Sequence, residues 1–403
     1  MHILLIHQAF AALDEPGGTR HHELSRYLAA QGNRVTIIAS PVSYLTGDSK
    51  IHETRTDLFD GGGRVTVLRV YTYTALHRSF IHRMFSFLSF MVSSFIKGLE
   101  VKHIDLVWGT SPPIFQGLSA WLLARMKRVP FLFEVRDLWP SFAVQVGVLR
   151  QPLLIRLSEW LETFLYRHAD TVMVNSPGFI PHIESRGANK VVLVPNGTDP
   201  RMFDPSADGA EFRNKHNLGD KFVVLYAGAH GMSNDLGILL ASAKALDHRK
   251  DIIFLLLGDG KEKPSLIDQA KKLNLSNVLF LPPLEKNRMS HAFAGVDACT
   301  AILKPIPLYA TVYPNKVFDY MAAGKPVILA IDGVIRQVVE EAQAGIFALP
   351  GYPAALVEAV LTLAGDPQKA HRMGQNGRRY VEAHFDRAKI AADLISIMEQ
   401  MTR

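Results

Sequence analysis

The sequence predicts an α/β protein built from two doubly wound, Rossmann-like halves that face a central cleft. Three observations carry this. Short apolar runs of strand length alternate with longer helical patterns from one end of the 403 residues to the other. A stretch dense in turn residues, Pro195-Asn196-Gly197-Thr198-Asp199-Pro200 through Asp204-Pro205, divides that alternation into two series of similar size. The unusual sequence, glycine pairs and charges in apolar surroundings, sits just after strand-like runs, where such sheets bind ligands.

In order, the first series predicts strands at His2–Ile6, Arg34–Ala39, Val65–Val70, Asp105–Trp108, Phe131–Val135, Thr171–Asn175 and Val191–Val194. Helical patterns fit between them at Thr19–Gln31, Ser79–Glu100, Ile114–Lys127 and Pro152–His168. The second series predicts strands at Phe222–Tyr226, Ile252–Leu257, Val278–Leu281, Ala298–Ile302 and Val327–Ala330, and the end from Pro353 is helical in pattern. The expected domains are 1–198, on the acceptor side, and 199–384, which binds the nucleotide, with 385–403 as a helix returning to the N-terminal domain.

Composition narrows the function. An apolar fraction of 48% supports real cores, and 20% charged residues argue against a disordered chain. The net charge of +6 suits a nucleotide diphosphate or an anionic lipid surface. Its scatter along the chain argues against nucleic acid as a partner. The single Cys299 lies in an apolar run and reads as a small buried hydrophobe, with a reducing cytoplasm as the simplest home. Met1–Ile6 reads as a first strand, because it lacks a basic leader and a cleavage pattern. No segment reaches the roughly 18–20 apolar residues of a spanning helix.

Four segments could carry chemistry. At Pro314-Asn315-Lys316-Val317 a proline opens a helix whose first N–H groups, beside an ammonium, form an arrangement that binds phosphate. Asp319 follows one turn later and could accept from ribose hydroxyls. The alternative is an ordinary helix start before a buried strand. Pro16-Gly17-Gly18-Thr19 opens a helix after the first strand and permits a tight backbone loop near an anion. Tyr226-Ala227-Gly228-Ala229-His230-Gly231 follows the first strand of the second series, and His230 could reach phosphate. In Glu134-Val135-Arg136-Asp137 charges emerge from an apolar strand. Either Arg136 pairs with Glu134 or Asp137, or Arg136 and Asp137 hold an acceptor.

Other chemistries lack their motifs. There is no D-x-D, H-E-x-x-H, paired C-x-x-C, G-x-S-x-G, G-x-G-x-x-G after the first strand, or G-x-x-x-x-G-K-[ST]. Neither a metal nor a cofactor is expected. A further feature is the Phe- and Met-rich pattern at Ser79–Leu99. Ile81, Met84, Phe85, Leu88, Met91, Val92, Phe95 and Ile96 make one stripe, while Phe80, Phe87 and Phe90 lie off it. A core helix is one reading. Basic residues at both ends and aromatics outside the stripe favour shallow membrane contact through 78–102.

Taken together, and above all in Pro314-Asn315-Lys316-Val317-Phe318-Asp319-Tyr320-Met321-Ala322-Ala323-Gly324-Lys325-Pro326-Val327, the chain resembles glycosyltransferase family 4, of the two-domain GT-B fold. It is similar to the bacterial branch that builds O-antigen, capsule and exopolysaccharide, including N-acetyl-L-fucosamine transferases, and Glu134-Val135-Arg136-Asp137-Leu138-Trp139-Pro140 shares in that likeness. The resemblance implies retaining, metal-independent transfer of a hexosyl or N-acetylhexosaminyl group from a nucleoside-diphosphate sugar, expected to be UDP-linked, to a polyprenyl-diphosphate-linked or glycan acceptor at the inner face of the cytoplasmic membrane.

Carried over by residue, the resemblance puts Gly17 and Gly18 near the donor phosphates and sugar and the base against Pro282 and Leu284, while Gly228 and His230 join the expected donor site through their place just after a strand. It places the diphosphate on the amides of Asn315, Lys316 and Val317, the ribose on Asp319, and the acceptor beside Glu134, Arg136 and Asp137. Arg136, Asp137 and Lys316 are the expected catalytic groups. Two departures stand out. Thr311 occupies the position of the family's first paired acid, and His230 and Asn234 lie where a basic pair is usual, so Lys316 is expected to supply the missing cation. A UDP-N-acetyl sugar epimerase or hydrolase, or a non-catalytic nucleotide-sugar-binding subunit, are the alternatives on the same fold.

Overall fold

The computed structural model describes residues 1–15, 17–43, 54–74 and 80–403, Phe80 by its backbone alone. Arg78 and Ser79 of the apolar helical pattern lie outside the described residues, as does Pro16. The chain forms two compact units. One comprises 1–12, 17–195 and 388–403, and the other 196–387 with a short stretch from Leu13.

The first unit begins with β1 (His2–Ile6), α1 (Arg20–Ala30), β2 (Arg34–Ala39), β3 (Arg55–Leu58), β4 (Arg64–Arg69) and α2 (Phe80–Glu100). It continues through β5 (Leu106–Ser111), α3 (Phe115–Lys127), β6 (Phe131–Val135), α4 (Ser141–Gln145), α5 (Pro152–His168), β7 (Thr171–Val174), α6 (Ile180–Ser185) and β8 (Val191–Leu193). Its sheet runs β3-β4-β2-β1-β5-β6-β7-β8, parallel except for the edge pair β3–β4. Strand order therefore turns at β1 and β5, and the segments leaving those strands meet at the carboxyl edge. Ile3 and Leu5 of β1 and Leu24 and Leu28 of α1 share one apolar cluster with Ile390, Leu394 and Met398 of the C-terminal helix.

The second unit contains α7 (Ala210–Lys215), β9 (Phe222–Ala227), α8 (Gly237–Ala245), β10 (Ile252–Leu257), α9 (Lys263–Lys272), β11 (Val278–Leu281), α10 (Met289–Ala294) and β12 (Ala298–Ile302). Then come α11 (Asn315–Ala322), β13 (Val327–Ala330), α12 (Val334–Glu341), β14 (Gly345–Phe347), α13 (Pro353–Gly365) and α14 (Pro367–His384), before α15 (Arg387–Thr402) closes the chain. The sheet is wholly parallel in the order β11-β10-β9-β12-β13-β14 and turns at β9 and β12. Apolar clusters cover both its faces, which is why these strands read as continuous apolar runs. Cys299 lies in this core without exposure.

Every expected strand is present. Two were not expected, for physical reasons. β3 is the exposed polar edge Arg-Thr-Asp-Leu, with no apolar run to reveal it. β14 has three half-buried residues, and its Gly345 is fixed by close approach, since a Cβ there would lie 2.0 Å from the Val327 carbonyl oxygen.

The apolar helix α2 is oriented opposite to a core helix. Its buried side is Ser86, Phe90, Ser94 and Gly98, with Gly98 so close to α3 that a Cβ would sit 2.4 Å from Leu123. Phe90, expected to have no place in a core, is fully buried, and Phe87 is half-buried against Phe115. The stripe instead exposes Ile81, Phe85, Leu88, Val92 and Ile96, with Phe85 and Ile96 each 56% accessible. Met84, Met91 and Phe95 are half-buried. No described helix is long and apolar enough to cross a membrane.

Candidate active site

The carboxyl edge of the second unit gathers most of the expected donor residues. Pro314, extended at φ −66 and ψ 120, starts α11 without a side-chain cap. The N–H groups of Asn315 and Lys316 thus have no partner within the helix. Val317 differs from expectation, because its N–H already donates to the Pro314 carbonyl at 3.1 Å. The first turn is tightened in the i→i−3 manner common at helix ends, and that amide is spent on the turn.

Lys316 and Tyr320, four residues apart, lie on one face of α11, and both reach the end of β9. The Tyr320 hydroxyl accepts from Ala227 N–H at 3.0 Å and donates to the Ala227 carbonyl at 3.1 Å. The Lys316 ammonium donates to the Tyr226 hydroxyl at 2.8 Å and stands 4.0 Å from that ring's centroid. Tyr226 in turn donates to the Ala229 carbonyl. Gly228, at φ +144, is where the backbone passes this ammonium, and a Cβ would fall 2.8 Å from Lys316 Nζ. Burial lowers the Lys316 pKa to about 7. The arrangement is a desolvated cation at a helix start, held against a thin loop.

His230 is fully buried between Tyr226 and Phe280, with no protein partner on either ring nitrogen. Burial, then the positive charge of Lys263 and Lys316, lowers its pKa to about 4, so it is neutral at physiological pH. No exposed surface remains on it for a phosphate. Its backbone does the fixing: its N–H donates to Asp259 and its carbonyl accepts from Glu262. Asn234 similarly ties the loop by donating to Ala229. Gly258 closes the neighbouring turn because a Cβ there would lie 1.9 Å from the Gly228 carbonyl oxygen.

Asp319 carries contacts that the sequence did not foreshadow. Oδ1 accepts from Thr198 Oγ1 at 2.7 Å, and Oδ2 accepts from Lys286 Nζ at 2.5 Å. Lys286 lies two residues beyond Leu284, in the turn that begins at the exposed Pro282. The helix start is also tied to the crossing segment. Asn196 donates to the Tyr313 carbonyl, and the buried Arg387 donates to Gly197 and to Asn315 Oδ1. Thr311, at the position of the absent acid, donates its hydroxyl to Leu308.

In the first unit, Gly17 and Gly18 are exposed just before α1. Gly17 adopts φ +148, and a Cβ on it would press on Ala11 at 2.9 Å. Arg136 and Asp137 leave β6 at the carboxyl edge, and Arg136 Nη2 donates to the Pro112 carbonyl at 2.6 Å. Asp137 is exposed, yet desolvation at its carboxyl raises the pKa to about 6 against the opposing charge of Arg136.

Glu134 has a different position from its expected acceptor role. It is fully buried and accepts from Arg20 Nε at 3.1 Å, His21 Nε2 at 2.6 Å and Trp108 Nε1 at 3.1 Å. Its salt bridge is with Arg20, from outside the local sequence, rather than with Arg136. Burial opposes its ionisation, but His21 and Arg20 outweigh this and hold the carboxyl well below the usual range. Arg20 also donates to the Val194 and Pro195 carbonyls. Among the described residues no three His, Cys, Asp or Glu side chains converge as a metal set.

Comparison with known proteins agrees with this architecture. Residues 17–197 match the glycosyl transferase 4-like domain, and residues 208–380 match glycosyl transferases group 1. The chain is 24% identical over 320 residues to WcaI of Escherichia coli (strain K12), named for colanic acid biosynthesis as a glycosyl transferase, covering 77% of this chain and 78% of that one. Its fold is similar to sucrose-phosphate synthase from Thermosynechococcus elongatus, with TM-score 0.80, 20% identity and 99% and 98% of the two chains covered. It is similar too to HepE of Anabaena, solved with UDP and glucose, with TM-score 0.74, 17% identity and 99% and 100% covered. With a family domain matched in each of its two Rossmann-like units, the chain belongs to glycosyltransferase family 4 and is a glycosyltransferase of the GT-B fold.

Proposed function

We propose that this glycosyltransferase moves a sugar from a UDP-linked donor to a lipid-linked or glycan acceptor in surface polysaccharide biosynthesis, with retention and without a metal. The observation that carries the reading is the half-buried Lys316 side chain at the start of α11, its ammonium 2.8 Å from the Tyr226 hydroxyl and against Gly228. A departing nucleoside diphosphate needs positive charge as its bond to the anomeric carbon breaks. A lysine held at the helix start, protonated as the diphosphate binds, and helix amides without an intrahelical partner supply that charge. The UDP and glucose bound by HepE, and the pathway for which WcaI is named, support the donor and pathway assignments.

In this reading Asn315 and Lys316 hold the diphosphate through their amides, Asp319 meets the ribose, and Pro282 and Leu284 border the base. Gly17 and Gly18 leave room near the donor sugar, while Arg136 and Asp137 orient the acceptor. The acceptor hydroxyl attacks from the face that the diphosphate leaves. Its proton passes to a donor phosphate oxygen as one C–O bond forms and the other breaks.

The exposed stripe Ile81, Phe85, Leu88, Val92 and Ile96 would rest on the cytoplasmic membrane surface. Adjacent helices extend it through Met126 of α3 and Leu153, Leu157 and Trp160 of α5, all exposed.

The test is transfer of labelled sugar from a UDP-sugar panel to a bacterial lipid extract, with and without chelator. Lys316→Ala is expected to lower turnover at least tenfold while the melting curve stays intact. Unchanged turnover would remove Lys316 from the mechanism. Loss of activity with chelator would overturn the metal-free reading, and conversion of donor without acceptor would favour an epimerase.

A further inference from the structure

We propose that Lys286 is a positioning residue for ribose recognition, acting by fixing the carboxylate of Asp319. The inference rests on the reading of 315–319 as the donor site and adds to it a side chain from a separate segment. Lys286 leaves the chain at the start of a short 3-10 turn. Its side chain is 8% exposed and that of Asp319 14%. A lysine buried to that extent needs its charge accounted for. Here the accounting is complete: Nζ meets Asp319 Oδ2 at 2.5 Å and lies 5.3 Å from the centre of the Phe203 ring.

The consequence concerns orientation. An aspartate carboxylate otherwise rotates broadly about its last torsion. With Thr198 on Oδ1 and Lys286 on Oδ2, that rotation is stopped from both sides. Each carboxylate oxygen can accept more than one hydrogen bond, so the contacts from Thr198 and Lys286 narrow the directions from which hydroxyl donors can approach. Aspartate here is one methylene shorter than the glutamate the family's acid pair would supply, so its reach is smaller and its aim matters more. Lys286 also stands two residues after Leu284. The turn expected to border the base and the carboxylate expected to meet the ribose are thereby held together by one ion pair.

The experiment is calorimetric titration of the full chain with UDP, 2′-deoxy-UDP and 3′-deoxy-UDP, for the native protein and for Lys286→Met and Lys286→Arg. Native protein is expected to prefer UDP over at least one deoxy analogue by tenfold or more. Lys286→Met should reduce that preference below threefold, and Lys286→Arg should retain most of it. An equal loss of affinity for all three nucleotides in Lys286→Met would assign Lys286 to structure or general charge and overturn the proposal. UDP binding without preference in the native protein would overturn it while leaving the donor site standing. Absence of UDP binding would overturn both. Should Lys286→Met not fold, Thr198→Val removes the hydroxyl contact to Asp319 Oδ1 with little change of shape, and the same preference ratio decides.

Discussion

Binding of a nucleotide-sugar should draw a proton onto Lys316, and the amount follows from its surroundings. Burial lowers its pKa to about 7. At pH 8 only about one-tenth of free protein then carries the ammonium. A diphosphate beside it favours the charged form. One unit charge at 4 Å in a medium of effective dielectric 20 contributes about 4 kcal/mol, equivalent to about three pKa units. The bound pKa therefore returns to about 10, and binding at pH 8 should take up about 0.9 proton, against about 0.1 at pH 6. The same linkage makes affinity fall roughly five- to eightfold per pH unit between pH 7 and 9, or about eighty-fold from pH 6 to pH 9.

A UDP-sugar is the right ligand, because its substituted diphosphate lacks the monoester ionisation near pH 6 that complicates UDP itself. His230, with a pKa of about 4, stays neutral throughout this range. Calorimetry at pH 8 in buffers of different ionisation enthalpy measures proton uptake directly. Lys316→Met should bind more weakly at pH 6, with uptake near zero at pH 8 and little change of affinity with pH. Tight binding by the native protein with no uptake at pH 8, or the same uptake in Lys316→Met, would refute the placement of this ammonium against the donor.

Three other perturbations follow from the geometry. Gly228→Ala puts a methyl 2.8 Å from Lys316 Nζ at φ +144; donor KM should rise at least tenfold while thermal melting shifts modestly, and unchanged KM would separate this glycine from the donor. Glu134→Gln removes the carboxylate charge that faces the buried Arg20 at 3.1 Å, which costs about 3–5 kcal/mol. The expected fall in Tm is on the order of 10 °C, and a change under 2 °C would mean the pair contributes little. Serine at Phe85, Val92 and Ile96 should cut flotation with anionic vesicles at least tenfold while sparing UDP binding; equal flotation would exclude α2 as the contact.

The fold was legible because burial on both faces writes a strand as an unbroken apolar run, as in Ile252–Leu257. The same rule hid β3, whose polar edge needs no such run. The helix start at Pro314 was legible from proline chemistry and the position after a strand. The partners of its side chains were not, because they come from distant chain: Tyr226 lies 90 residues from Lys316, and Thr198 lies 121 from Asp319. Glu134 shows the limit most clearly. Its neighbours suggested a local ion pair, whereas Arg20, His21 and Trp108 reach it from α1 and β5. For α2 the period was right, but period alone does not say which face is buried. Close packing of Gly98 on Leu123 turned the small residues inward and the apolar stripe out.

The departures from the family's acid and base pattern are connected by charge. With Thr311 in place of an acid, Asp319 is left as the shorter carboxylate of an expected pair, and Lys286 neutralises it at 2.5 Å. Lys316 has no carboxylate among the causes of its pKa shift, and its first contact is a neutral phenol. In the proposed reading these two lysines divide the work: one is spent inside the protein to hold a carboxylate still, and the other is left without a carboxylate to meet a diphosphate. On the proposed reading, that division would let a site without the usual basic pair favour a highly charged leaving group. The cation that remains faces no carboxylate, and above neutral pH most of its proton is gained with the ligand instead of being held before it.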